Sequence, residues 1–124
     1  MKKQVLFIQG AGKGARADDG KLAANLRELL GEDYEVHFPL MENEEDPDYN
    51  IWRNQIEEEI SSLDGMIFLV GHSLGGCVLI KALTQINIAR RIAGIFLIAA
   101  PYWGGEGWKY KGYRKLVLPK KNGW

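Results

Sequence analysis

The chain has one cysteine, Cys77, two histidines, His37 and His72, and four prolines among its 124 residues. A lone cysteine excludes an internal disulfide and fits a reducing compartment. Its place on an apolar segment marks it as a buried structural thiol rather than a reactive one. Two separated histidines and one cysteine show no metal-ligand spacing, so no metal and no other cofactor is expected. An excess of one charge is lacking too. Sixteen basic residues balance sixteen acidic ones, which leaves no global attraction to nucleic acid or to an anionic membrane. No apolar run approaches transmembrane length, and the run after Lys2-Lys3-Gln4 is only Val5–Ile8, too short for a signal-peptide core. The expected location is the cytoplasm.

What is present is an ordinary soluble composition, 46% hydrophobic and 26% charged, long enough to bury a core as a single domain over 1–124. The charge is locally uneven. Residues 41–64 hold nine acidic groups against Arg53 alone, and residues 101–124 hold six basic groups against Glu106 alone. Both regions are read as solvated surface.

Val5-Leu6-Phe7-Ile8 is a continuous apolar run ending at glycines, as a buried parallel strand would. Asp18 or Asp19 can cap a helix carrying Leu22, Leu26, Leu29 and Leu30 at helical spacing, and Gly31 stops it. Tyr34–Phe38 alternates like a half-exposed edge strand and closes at Pro39. An acidic loop, Glu42–Asp48, leads into a helical stripe of Tyr49, Trp52, Ile56, Ile60 and Leu63. Met66–Val70 is a third strand, Cys77–Gln85 a third helix, and Ile92–Ala100 a fourth strand. Residues 102–124 form an irregular aromatic and basic tail.

This β-α-β-α-β-α-β alternation predicts an α/β fold of three layers, an open parallel sheet with helices on both faces and strand order 2-1-3-4. Ligands in such sheets bind beyond the carboxyl ends of the strands, near the switch between the first and third. Gly10 and Ser73 both fall there.

Residues 70–76, Val-Gly-His-Ser-Leu-Gly-Gly, carry the chemistry. Gly71, Ser73 and Gly75 fit the G-x-S-x-G nucleophile elbow, with His72 inside it, an apolar strand before it and a helix after it. The glycines keep side chains away from the space Ser73 needs. The turn aims the N–H of Leu74 at a reacting carbonyl, at a helix N-terminus that favours an oxyanion. A second donor is expected from Gln9-Gly10-Ala11-Gly12, with Ala11 the first candidate and Gly12 the second. Each such donor is worth about 3 kcal/mol in the transition state.

With these motifs the chain resembles the first part of a small α/β-hydrolase, similar to compact, cap-less serine esterases. The resemblance runs from Phe7-Ile8-Gln9-Gly10-Ala11-Gly12 through Phe96-Leu97-Ile98-Ala99-Ala100-Pro101. It implies a serine hydrolase acting on small esters or related acyl compounds, with Ser73 as nucleophile. It also places a catalytic Asp and His in later segments, so the expectation is a domain lacking its C-terminal strands and helices, its triad base and acid unassigned. His37 reads as a surface histidine on an edge strand and His72 as a packing or hydrogen-bonding residue. Glu106 follows the fourth strand but has no histidine to orient, and Asp64 lies at the wrong end of the sheet. An open fourth strand would be an apolar edge, from which self-association is expected through Ile95–Ala100 or Lys115–Leu118.

Two other readings compete. One is a non-catalytic binding or interaction module on the same scaffold. The other is a Rossmann-like nucleotide-binding domain, because Gly10-x-Gly12-x-x-Ala15 matches the dinucleotide fingerprint. A helix beginning only near Asp19, and no acidic residue closing the second strand, count against the nucleotide.

Overall fold

The computed structural model describes residues 2–86 and 92–100. Its elements in chain order are β1 (Lys3–Ile8), α1 (Ala15–Leu30), a 3-10 turn (Gly31–Asp33), β2 (Tyr34–His37), α2 (Tyr49–Ser62), β3 (Ile67–His72), α3 (Leu74–Gln85) and β4 (Ile92–Ile98). All strand pairs are parallel and the sheet order is β2-β1-β3-β4. The predicted order therefore holds.

The continuous apolar run of β1 explains its central place, since both of its faces need cover. Leu6 and Ile8 join Ile67 and Leu69 of β3 beneath α2 and α3, in a cluster anchored by Trp52, Ile56 and Ile60. Val5, Phe7, Val36 and Val70 point the other way and pack with Leu22, Leu26 and Leu30 of α1. Three layers result, with helices on both faces. The start of α2 is fixed by Asp48, whose carboxylate accepts a hydrogen bond from Ile51 N at 3.2 Å. No helix among the described residues is long and apolar enough to cross a membrane.

Two sequence expectations need correction on α1. The helix begins at Ala15, after Gly14 in the left-handed conformation at φ 82°, so neither Asp18 nor Asp19 is its cap. Asp19 instead lies within the helix and is only 4% exposed. It shares the sheet-facing stripe with Ala23, Leu26 and Leu30, at intervals of four, three and four residues. Leu29 sits at the margin of that stripe and projects into solvent, 82% exposed.

Strand β4 pairs with β3 alone and lies at an edge of the described sheet. Phe96, Leu97 and Ile98 are exposed. With Leu26, Leu30 and Phe68 they line an open apolar groove of about 610 Å³ on the α1 face. The aromatic tail, Glu106 and Lys115–Leu118 lie outside the described residues.

Candidate active site at the ends of β1 and β3

Strand β3 turns into α3 through Ser73, whose φ of 54° and ψ of −125° make it one of three described non-glycine residues at positive φ. Such a conformation costs about 1–3 kcal/mol and persists only where its surroundings enforce it. Here they do. Ser73 N donates to Ile98 O of β4 at 2.8 Å, and Gly76 N donates to Ser73 O at 3.0 Å. A Cβ on Gly71 would stand 2.5 Å from Gly76 Cα, and one on Gly75 would stand 2.3 Å from Gln9 O. Both positions are closed to any side chain. A Cβ on Gly10 would come within 3.2 Å of Ser73 Cβ, so the loop after β1 lies directly against the serine.

That loop is where the sequence expects the second oxyanion donor. Leu74 opens α3, and the first N–H groups of a helix have no intrahelical acceptor. Ala11 is half-buried and packs against the α2–α3 side of the core. Gly12, the second candidate, is corrected by the geometry: its N–H donates to Glu44 O at 2.7 Å and is not available to an oxyanion. Gly10 N–H is committed as well, to Asp19 Oδ2 at 2.8 Å.

Glu44 does more than occupy Gly12. Its carboxylate accepts from Arg16 N at 2.8 Å, Gly14 N at 3.1 Å and Gln9 Nε2 at 3.2 Å. The Arg16 N–H, chief among these donors, holds the Glu44 carboxyl below its ordinary range, against some desolvation; Gly14 N–H and Gln9 add to the effect. Gln9 itself is fully buried and satisfied: Nε2 also reaches Gly10 O at 3.2 Å, and Oε1 accepts from Met41 N at 3.3 Å. The segment carrying Glu44 is pinned further by Trp52 Nε1, which donates to Glu42 O at 2.6 Å. The acidic stretch is thus part of the site's frame rather than wholly solvated surface. Nothing in its spacing announces this, because Glu44 acts through backbone N–H groups that no side-chain pattern marks.

The same carboxylate bears on the nucleotide reading. The late helix start invoked against it does not hold, since α1 opens at Ala15 beside the glycines. The N–H groups that would cradle a phosphate there are instead filled by Glu44.

Neither histidine hydrogen-bonds Ser73 among the described residues. His37 is on β2, with β1 between it and β3, and its Nε2 lies 2.6 Å from Gln4 Oε1. His72 turns Nδ1 toward α1, 2.8 Å from Asp19 Oδ1. The approach is close but poorly aligned for a ring N–H, so it is an ion-pair contact when the ring is protonated rather than a well-formed hydrogen bond. Cys77, in the first turns of α3, is buried and its thiol is pushed up to about 11 by desolvation, which makes it inert at neutral pH.

An open parallel sheet with a strained serine between its third strand and third helix, faced by a glycine loop from its first, defines the α/β-hydrolase class. The serine hydrolase family model matches residues 26–113, and the chain belongs to that family. No curated protein matches the chain. Among solved structures it is similar to a histidine-to-alanine variant of PytH, with 21% identity over 81% of this chain and 40% of that one, TM-score 0.57. It is also similar to a serine-to-alanine variant of the pyrethroid hydrolase PytH, with 20% identity over 82% and 41%, TM-score 0.57. A pyrethroid hydrolase from Sphingobium faniae JZ-2 matches at 21% identity over 77% and 38%, TM-score 0.53. These likenesses are of fold, and the chain spans about two fifths of the length of those hydrolases.

Proposed function

We propose that the chain carries the nucleophile and oxyanion elements of a serine hydrolase acting on small carboxylic esters or related acyl compounds. The observation that carries this reading is Ser73, held at φ 54° between two glycines that admit no Cβ. Strain of that kind at a serine on a strand-to-helix turn serves to expose its hydroxyl. Family membership and the hydrolase names of the structural neighbours support the same reaction class. In the reaction Ser73 Oγ would bond to the acyl carbon while the carbonyl oxygen becomes an oxyanion between the N–H groups of Leu74 and Ala11. The serine proton must pass to a base, which neither His37 nor His72 supplies through a contact with Ser73 among the described residues. A base from outside those residues therefore takes it and returns it to the leaving alkoxide as the acyl–oxygen bond breaks.

Labelling with a fluorophosphonate probe tests the proposal, with Ser73→Ala as the control. Expected is covalent labelling that depends on Ser73. No labelling of the folded protein would overturn the catalytic reading and leave a binding module on the hydrolase scaffold.

We also propose self-association through β4. The exposed Phe96, Leu97 and Ile98 on a strand at the edge of the described sheet support it. Sedimentation velocity across a hundredfold concentration range should show a dimer growing in. A monomer throughout would sink the idea.

A further inference from the structure

Buried acids on helices are uncommon unless they are partnered, and Asp19 is 4% exposed on the sheet-facing stripe of α1. Both of its oxygens are used, and on different parts of the site. Oδ2 accepts from Gly10 N at 2.8 Å, in the loop expected to supply the oxyanion donor. Oδ1 stands 2.8 Å from Nδ1 of His72, the residue before the nucleophile. Gly10 and Ser73 lie close together, since a Cβ added at Gly10 would stand 3.2 Å from Ser73 Cβ. One carboxylate therefore touches the two segments whose separation an oxyanion hole must fix.

We propose that Asp19 is a positioning residue, a buried carboxylate that couples the β1–α1 loop to the nucleophile elbow and thereby sets the Ala11 N–H against Ser73. The proposal rests on the serine hydrolase reading for its catalytic consequence, but the coupling itself is a property of the fold. One turn on, α1 carries the apolar Ala23, which is fully buried, so burial alone does not require an acid here. What an apolar residue at this position would lack is an acceptor for Gly10 N–H and a partner for the buried His72 Nδ1, which has no aligned hydrogen bond among the described residues. Errors of about 1 Å in such a frame cost about a hundredfold in rate.

Two variants separate positioning from stability. Asp19→Ala removes both contacts and favours the helix. Asp19→Asn keeps an acceptor for Gly10 and the side-chain shape. Three quantities are measured on each: the urea midpoint, amide hydrogen exchange at Gly10 with Leu6 and Leu69 as core references, and the rate of Ser73 labelling by a fluorophosphonate. In Asp19→Ala exchange at Gly10 should quicken at least tenfold beyond any change at the references, and labelling should slow about ten- to a hundredfold. Asp19→Asn should restore most of the Gly10 protection and most of the labelling rate. The proposal is overturned if Gly10 exchange moves only in step with the core, or if labelling in Asp19→Ala matches the parent. Should the parent itself resist labelling, the hydrolase reading fails, and the exchange measurement alone still decides whether Asp19 holds the loop.

Discussion

Strands β3 and β4 read almost alike as sequence, Ile67-Phe68-Leu69-Val70-Gly71-His72 against Ile92-Ala93-Gly94-Ile95-Phe96-Leu97-Ile98, yet they live in opposite surroundings. Ile67 and Leu69 are fully buried, whereas Phe96 is 55% exposed. The difference is one of place. β3 has a strand on each side and helices α2 and α3 over one face, while β4 has a single strand neighbour among the described residues. An apolar run states that a segment can be buried, and only its position in the sheet states that it is. The two strands still serve one site, because the last carbonyl of β4, Ile98 O, receives the N–H of Ser73.

The sharpest way to break the contrast is to add one methyl group to each strand's neighbourhood. Gly75→Ala sets a Cβ 2.3 Å from Gln9 O and 2.4 Å from Ile8 O, both backbone atoms that cannot yield. Its urea midpoint should fall by an amount equal to about 3 kcal/mol or more, with Ser73 labelling lost. Gly94→Ala meets first the movable ring of Phe96, at 3.3 Å, and should cost less than about 1 kcal/mol. Comparable losses at the two positions would show that β4 is as tightly enclosed as the elbow.

Side-chain deletion sharpens the same comparison by a smaller step. Leu69→Ala empties a site that is 0% exposed and should cost about 3 kcal/mol. Leu97, 43% exposed, should cost under about 1 kcal/mol on the same change, measured by denaturant titration in dilute solution. If Leu97→Ala becomes costly as protein concentration rises, β4 is being covered by a second copy.

Strand order and layering were readable because each strand's apolar pattern matches its cover: continuous on β1, alternating on β2. The elbow was readable because its glycines stand at fixed steps from Ser73. The frame around it was harder. Asp19 falls on the stripe of Leu30, Leu26 and Ala23, which it interrupts with an acid, yet an acid that follows a run of glycines fits a helix cap equally well. Glu44 left no such trace. Its partners are backbone N–H groups of residues 14 and 16, brought to it by the sheet crossover rather than by local spacing. The commitment of Gly12 N–H to Glu44 O likewise depends on the fold and not on local spacing.

Glu44 gives the smallest effect and the most local one. Its carboxyl is held below the ordinary value of 4.5 by the Arg16 and Gly14 N–H groups and by Gln9, so the folded state prefers the ionised form. A depressed carboxyl stabilises fully above its unfolded value, and the contribution is lost as pH falls through the lower folded value. The β1–α1 loop should therefore loosen only in acid below pH 4.5, seen as faster amide exchange at Gly14 and Arg16 after correction for intrinsic rates. Glu44→Gln keeps an acceptor but no charge, and should show that looser loop already at neutral pH with little further change in acid. Salt should soften the difference, because the group is partly exposed. Equal exchange at Gly14 in the parent and Glu44→Gln at neutral pH would mean that the carboxylate's charge does not hold the loop, and that Asp19 carries the attachment alone.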